Sequence, residues 1–305
     1  MIFKRARLTA ALSLALPLAL ALALPAAAQA AISVVDDAGR PVTLAAPARR
    51  VIAMAPHITE LLYAAGGGSA VVGAMNYSDY PEAAKKLPLV GSDAQIDIER
   101  VIALKPDLLV VWQSGNTARQ LEQLKALGIP LFYSEPGKLE AVATSIERLG
   151  ALLGTAPAAA REAASYRAEL ARLKARYGAR PPVKVFYQVW DKPIYTLSDS
   201  HIIGDAIKLC GGVNVFGAMK VVAPSVGIEA VLQQNPEAIF GSERHTPDDA
   251  GIDMWQAYKR LLAVERGNLF RLEGVLLTRP GPRLVRGAAQ LCDKIELARQ
   301  RRPHS

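Results

Sequence analysis

Short apolar runs alternate along the chain with stretches in which apolar residues recur every three or four positions. This is the pattern of strands interleaved with amphipathic helices. Residues 51–55 predict a strand, and Leu61 to Ser78, broken by Gly66-Gly67-Gly68, reads as a helix, a turn and a second strand at 71–75. A helix is expected over 59–65 and another over 98–104, ended by Pro106. Residues 108–112 then form an uninterrupted apolar run, as a buried strand requires. Asn116 is the expected cap of a helix that runs to Leu127 and stops at Gly128. A strand over 130–133 and a helix over 139–153 follow.

The rhythm then changes. From Ala158 to Tyr177 there is no Gly or Pro, and Tyr166, Leu170, Leu173 and Tyr177 recur at helical spacing. With Pro157 suited to a first turn and Gly178 and Pro181-Pro182 beyond the end, one helix of about 20 residues, about 30 Å long, is predicted. The alternation restarts after it, with a strand over 183–189, a helix over 202–209, segments at 228–234 and 238–240, and a last helix from about Pro282. The expected fold is therefore α/β: two Rossmann-like lobes, 31–155 and 181–305, joined by one long rigid helix within 156–180.

A weak internal repeat supports two related lobes. Residues 98–107 and 228–237 both read Ile-Glu-x-Val-aliphatic-x-x-x-Pro-acid and both run into an apolar strand. The pattern sets Glu99 and Glu229 at equivalent helix starts, where a carboxylate also complements the helix macrodipole.

The first 30 residues change the picture of where the protein works. Lys4, Arg5 and Arg7 precede a Leu/Ala-rich stretch that ends in Ala28-Gln29-Ala30, the form of a cleavable export signal. No Cys follows to receive a lipid, so a periplasmic protein of about 275 residues is expected. Losing the three signal cations lowers the formal charge from +8 to +5, and part of the remainder sits in Arg299, Arg301 and Arg302, read as a solvated tail. With no basic stripe interleaved with aromatics, nucleic-acid binding is excluded. Cys210 and Cys292, an even number in an oxidising compartment, are expected to form a structural disulfide within the C-terminal lobe. Closing such a loop stabilises by about 4 kcal/mol in the chain-entropy model.

The segments Thr59-Glu60-Leu61, Tyr77-Ser78-Asp79-Tyr80-Pro81, Ile98-Glu99-Arg100, Ala103-Leu104-Lys105-Pro106-Asp107-Leu108, Gly115-Asn116, Cys210-Gly211-Gly212, Asn214-Val215-Phe216 and Pro282-Arg283 carry a family resemblance. From about Arg50 to Asp293 the chain resembles the periplasmic substrate-binding proteins of ABC importers whose lobes share a single long helix, and among them the cobalamin-binding members. The resemblance implies that Tyr77, Trp112, Tyr195 and Arg279 line an inter-lobe cleft, the arginine facing the corrin amide rim. It implies that cobalamin is a transported ligand and that the protein carries no cofactor. It also implies a monomer that docks on the permease through Glu99 and Glu229. Large aromatic faces and a few placed polar groups suit a broad, amide-rich ligand. Simple packing for Trp112, which closes an apolar run, and a surface position for Tyr77, before a turn, are the competing readings.

The chain departs from the family at Asp93 and Ala223, where the cleft carries tryptophans, and at Val275, where it carries an acid; Trp190 is a candidate to fill part of that space. A heme or ferric-siderophore ligand is the alternative within the same superfamily. An enzyme is the alternative from another class, but no G-x-S-x-G, phosphate-binding Gly loop or H-E-x-x-H is present. His57, His201, His245 and His304 are scattered, against the clustering a metal site needs. His57 and His201 read as helix-start or surface residues, with His57 an axial-ligand candidate if the ligand is heme.

Overall fold

The computed structural model describes residues 31–92, 95–242 and 250–303. The signal at 1–30, and the readings placed on Asp93, His245 and His304, lie outside the described residues.

The chain enters through an antiparallel hairpin, β1 (Ile32–Val35) and β2 (Pro41–Leu44), that the sequence reading did not anticipate. The first α/β unit follows: β3 (Val51–Ala53), α1 (Pro56–Ala64), β4 (Val71–Ala74), α2 (Ile98–Ala103), β5 (Leu108–Trp112), α3 (Ala118–Lys125), β6 (Leu131–Ser134) and α4 (Leu139–Leu153). Its strands pair in parallel in the order β4-β3-β5-β6. The continuous apolar run of β5 fits this place, because a central parallel strand is covered on both faces. The cap of α3 corrects the expectation at Asn116. Thr117 is the N-cap, in a reciprocal capping box with Gln120, while Asn116 serves the end of β5.

Gly154, in the left-handed conformation at φ 70°, ends α4 and turns the chain into α5 (Ala156–Tyr177). The buried residues of α5 are Ala159, Ala163, Tyr166, Leu170, Leu173 and Tyr177, the predicted seam extended by two alanines. The helix packs along α4 in the first unit, and its far end meets the second unit, where the Tyr177 hydroxyl donates to Asp293 at 2.6 Å.

The second unit is β7 (Val183–Asp191), β8 (Ile194–Thr196), α6 (Ile202–Leu209), β9 (Gly212–Asn214), α7 (Ile228–Gln234), β10 (Ala238–Ser242), α8 (Leu262–Glu265), β11 (Leu269–Leu272), α9 (Gly274–Thr278) and α10 (Leu284–Gln300). Strands run β11-β10-β7-β8 with β9 also on β7, all parallel except β8. One apolar cluster extends from Val51 and Val110 through Leu149, Tyr166 and Leu173 to Val185 and Phe240. The two sheets are thus joined through the helix by continuous packing, which resists hinge motion more than an extended linker would.

The disulfide Cys210–Cys292 joins the end of α6 to α10, inside the second unit as expected. The terminal arginines are not a solvated tail. Arg299 donates to the Pro181 carbonyl at 2.7 Å and pairs with Glu296, Arg301 reaches Asn268 at 3.1 Å, and Arg302 holds Glu237 at 2.7 and 2.8 Å. Carbonyl, amide and carboxylate groups just before β7, β10 and β11, at the amino ends of these strands, hold these cations.

Candidate ligand-binding cleft

In open parallel sheets, ligands collect beyond the carboxyl ends of the strands. Both sheets direct those ends at a shared cavity of about 420 Å³. Trp112, at the end of β5, lines it from the first unit, facing Gln188, Val189, Leu197, Val275 and Thr278 of the second.

Trp112 is held by its neighbours. The Asn116 side chain accepts from the Trp112 amide at 2.8 Å and donates to the Met54 carbonyl at 3.3 Å, tying the ends of β5 and β3 together. The indole lies so close to Gly115 that a Cβ there would meet it at 1.9 Å, so the ring position requires glycine. Beneath it, His57 presents an edge at 5.2 Å and 78°. His57, the second residue of α1, is buried, and burial together with nearby Arg279 lowers its pKa to about 3, so the imidazole is neutral. The His57 Nε2 and Trp112 Nε1 atoms are buried without a hydrogen-bond partner among the described residues. His201 caps α6, its Nδ1 accepting from the Ile203 amide at 3.1 Å, and lines the same cavity. Both histidines are helix-start residues as expected, but His57 is no surface residue.

Tyr77 lies in the turn after β4 with φ 64°, a conformation that costs a bulky side chain free energy, and it is 75 % exposed. Thr59 anchors this turn by donating from Oγ1 to Ser78 Oγ at 3.0 Å. Tyr195 lies on β8, 38 % exposed, paired in register with Trp190 on β7. Of the positions where the chain departs from the family, Val275 lines the cavity, Ala223 is exposed and Asp93 lies outside the described residues.

Arg279 sits between the lobes. Its Nη1 donates to Asp79 at 2.6 Å and lies 3.4 Å from Glu60. That hydrogen bond holds the Asp79 carboxyl below the usual carboxylate range. Glu60, on α1, is almost wholly buried and accepts two bonds from Arg283, at 2.9 and 2.7 Å, while that guanidinium stacks over the Tyr80 ring at 4.1 Å. A buried carboxylate shared by two arginines of the other lobe is a cross-lobe clamp. Sequence reasoning gave Glu60 and Arg283 no role. A single acid inside the apolar stretch Ile58–Leu62 was the available signal, since buried acids need partners.

A second contact crosses on the other flank of α5, where the Leu139 amide donates to Asp205 at 3.0 Å. A larger cavity of about 1000 Å³ runs beside α5 there, between Leu139 and Leu209, away from the strand ends. Glu99 and Glu229 are exposed, each the second residue of its helix, and neither forms an ion pair among the described residues. Among those residues, no three His, Cys, Asp or Glu gather to hold a metal ion.

A family model described as periplasmic binding protein matches residues 51–276. The chain is 38 % identical over 257 residues to the vitamin B12-binding protein of Vibrio campbellii, covering 84 % of this chain and 92 % of that one. It is 36 % identical over 250 residues to the Yersinia pestis vitamin B12-binding protein, covering 81 % and 86 %. Among solved structures, the periplasmic vitamin B12-binding protein BtuF of Vibrio cholerae superposes with a TM-score of 0.76 at 37 % identity, covering 83 % of this chain and 99 % of that one. A periplasmic heme-binding protein, RhuT of Roseiflexus, superposes with a TM-score of 0.71 at 23 % identity, covering 82 % and 98 %, a likeness of fold alone.

Proposed function

The chain belongs to the periplasmic binding protein family, and from that premise we propose that it captures cobalamin between its lobes and delivers it to an ABC permease. The observation that carries this reading is the sustained 37–38 % identity to vitamin B12-binding relatives across more than four-fifths of the chain. Export through a signal cut after Ala30 and action as a monomer belong to the same reading, as does the division into lobes 31–155 and 181–305 about the helix region 156–180.

The geometry supports it residue by residue. Trp112 supplies a fixed aromatic face at the cavity, and Tyr77 and Tyr195 are exposed aromatics, one on each lobe. Among the described residues Arg279 uses Nη1 alone on the acids of the opposite lobe, and Nε and Nη2 are the donors offered to ligand amide carbonyls. One residue then links ligand capture to lobe contact. Glu99 and Glu229, exposed on equivalent helices and without an ion pair among the described residues, serve as docking acids for permease arginines, aligning the loaded cleft with the entrance.

The test is a calorimetric titration of variants with cyanocobalamin. Trp112→Ala weakens binding more than tenfold, a loss of about 1.4 kcal/mol. Because the indole is half-buried against the core, this variant also loses stability. Tyr77→Ala separates the two effects, since the exposed phenol leaves the melting temperature unchanged while binding still weakens. Wild-type affinity in both variants would refute this assignment of the cleft.

A further inference from the structure

We propose that Trp190 and Tyr195 form one aromatic ledge on the C-terminal wall of the cleft, and that Trp190 determines which ligands the cleft accepts by covering part of a broad ring face. The inference rests on the ligand reading above but concerns a residue which that reading does not need.

Trp190 on β7 and Tyr195 on β8 are directly paired in register, and side chains so opposed share one face of a sheet. The register shifts between Gln188 and Trp190, an irregularity of the kind that re-aims a side chain beside a binding site. Two lines of connection set that face toward the cleft. Leu197, two residues beyond Tyr195 and therefore on its side of the strand direction, lines the cavity opposite Trp112. Val189, the extra residue where the register shifts, opposes Tyr195 together with Trp190 and lines the same cavity.

The surface so formed is apolar and partly exposed. Trp190 is 47 % exposed, Val189 37 % and Val275 41 %. Val221 and Val222 are exposed as well, on a segment held beside β8 by the Thr196 amide to the Pro224 carbonyl at 3.0 Å and the Ser198 amide to the Val222 carbonyl at 2.9 Å. Exposed apolar side chains gathered beside a cleft mark an interaction site. Its continuity with the cavity assigns the occupant, namely the cleft's own ligand. A ligand that only filled the 420 Å³ floor would leave the ledge bare, whereas a macrocycle extending beyond the floor covers both.

The experiment compares wild type, Trp190→Ala and Trp190→Phe of the exported protein by calorimetry with cyanocobalamin and with hemin, alongside melting temperatures. Cyanocobalamin affinity should fall at least tenfold in Trp190→Ala and stay within threefold of wild type in Trp190→Phe, with all three melting alike. Unchanged affinity in Trp190→Ala overturns the ledge while leaving the cobalamin reading intact. Unchanged affinity with lost uptake also overturns it, by giving the patch to the permease. A wild type that takes hemin and ignores cyanocobalamin overturns the ligand reading, and the same tenfold criterion for hemin then decides the ledge.

Discussion

Residues 98–107 and 228–237 share a sequence pattern, and they also share details that the pattern does not spell out. Each folds as a helix followed by a left-handed residue, Lys105 at φ 46° in one copy and Asn235 at φ 45° in the other. In each, a basic side chain at the start of the unit's first strand caps the helix end: Arg50, just before β3, donates to the Leu104 carbonyl at 2.7 Å, and Lys184, in β7, to that of Gln234. In each, the amide of the closing acid, Asp107 or Glu237, bonds the carbonyl of that same basic residue at 2.8 Å. The copies differ in what surrounds the acid. Asp107 is exposed and, among the described residues, accepts only from the Arg49 and Arg50 amides, at 2.7 and 3.0 Å. Glu237 is buried and is gripped by Arg266 at 2.9 Å and by Arg302. The local unit is therefore specified by its own residues, while its place in the lobe is set by charges from the chain end. That is why the second copy is anchored and the first is not.

The equivalence of the copies is broken most severely through their glutamates. Glu99→Arg with Glu229→Arg should keep cyanocobalamin affinity and abolish permease binding and uptake, because like charges would then meet across the interface. If the acids serve only their helix dipoles, the loss is about 0.3–1 kcal/mol of stability for each, and uptake proceeds normally. The asymmetry of the closing acids comes next. Glu237→Ala strands two partly buried arginines and should cost about 2–3 kcal/mol in urea unfolding, whereas Asp107→Ala, losing two backbone bonds near solvent, should cost about 1 kcal/mol. Equal losses would remove the distinction drawn between the lobes. The smallest effect exchanges the left-handed residues. Asn tolerates this conformation better than Lys, so Lys105→Asn should stabilise by less than about 1 kcal/mol. Asn235→Lys should destabilise by more than that gain, because Asn235 also accepts from the Leu262 amide at 2.9 Å.

Much of this was legible in the sequence because its determinants are local. Apolar periodicity punctuated by Gly and Pro located α4, α6 and β5 residue for residue and placed α5 to within two residues at its start. The hairpin β1–β2 and the short strands β8, β9 and β11 escaped, since three or four residues carry little periodicity and their identity lies in distant pairing. Asn116 and Thr117 are both competent caps, and the Gln120 side chain that completes the box decided for Thr117. Asn116 was already committed to Trp112 and Met54. The clamp joins Glu60 to Arg283 across 223 positions, and the terminal arginines find Glu237 and Pro181 across 65 and 118. Only the fold brings such partners together, so composition made the tail look solvated.

The central claim is that the cleft between these two lobes takes cobalamin. It is tested most directly by titrating the purified wild-type protein with cyanocobalamin in a calorimeter, with hemin in a parallel run. The account predicts saturation at one cyanocobalamin per chain with a dissociation constant of about 1 μM or tighter, or about −8 kcal/mol. No heat with cyanocobalamin, together with saturable binding of hemin, would contradict it.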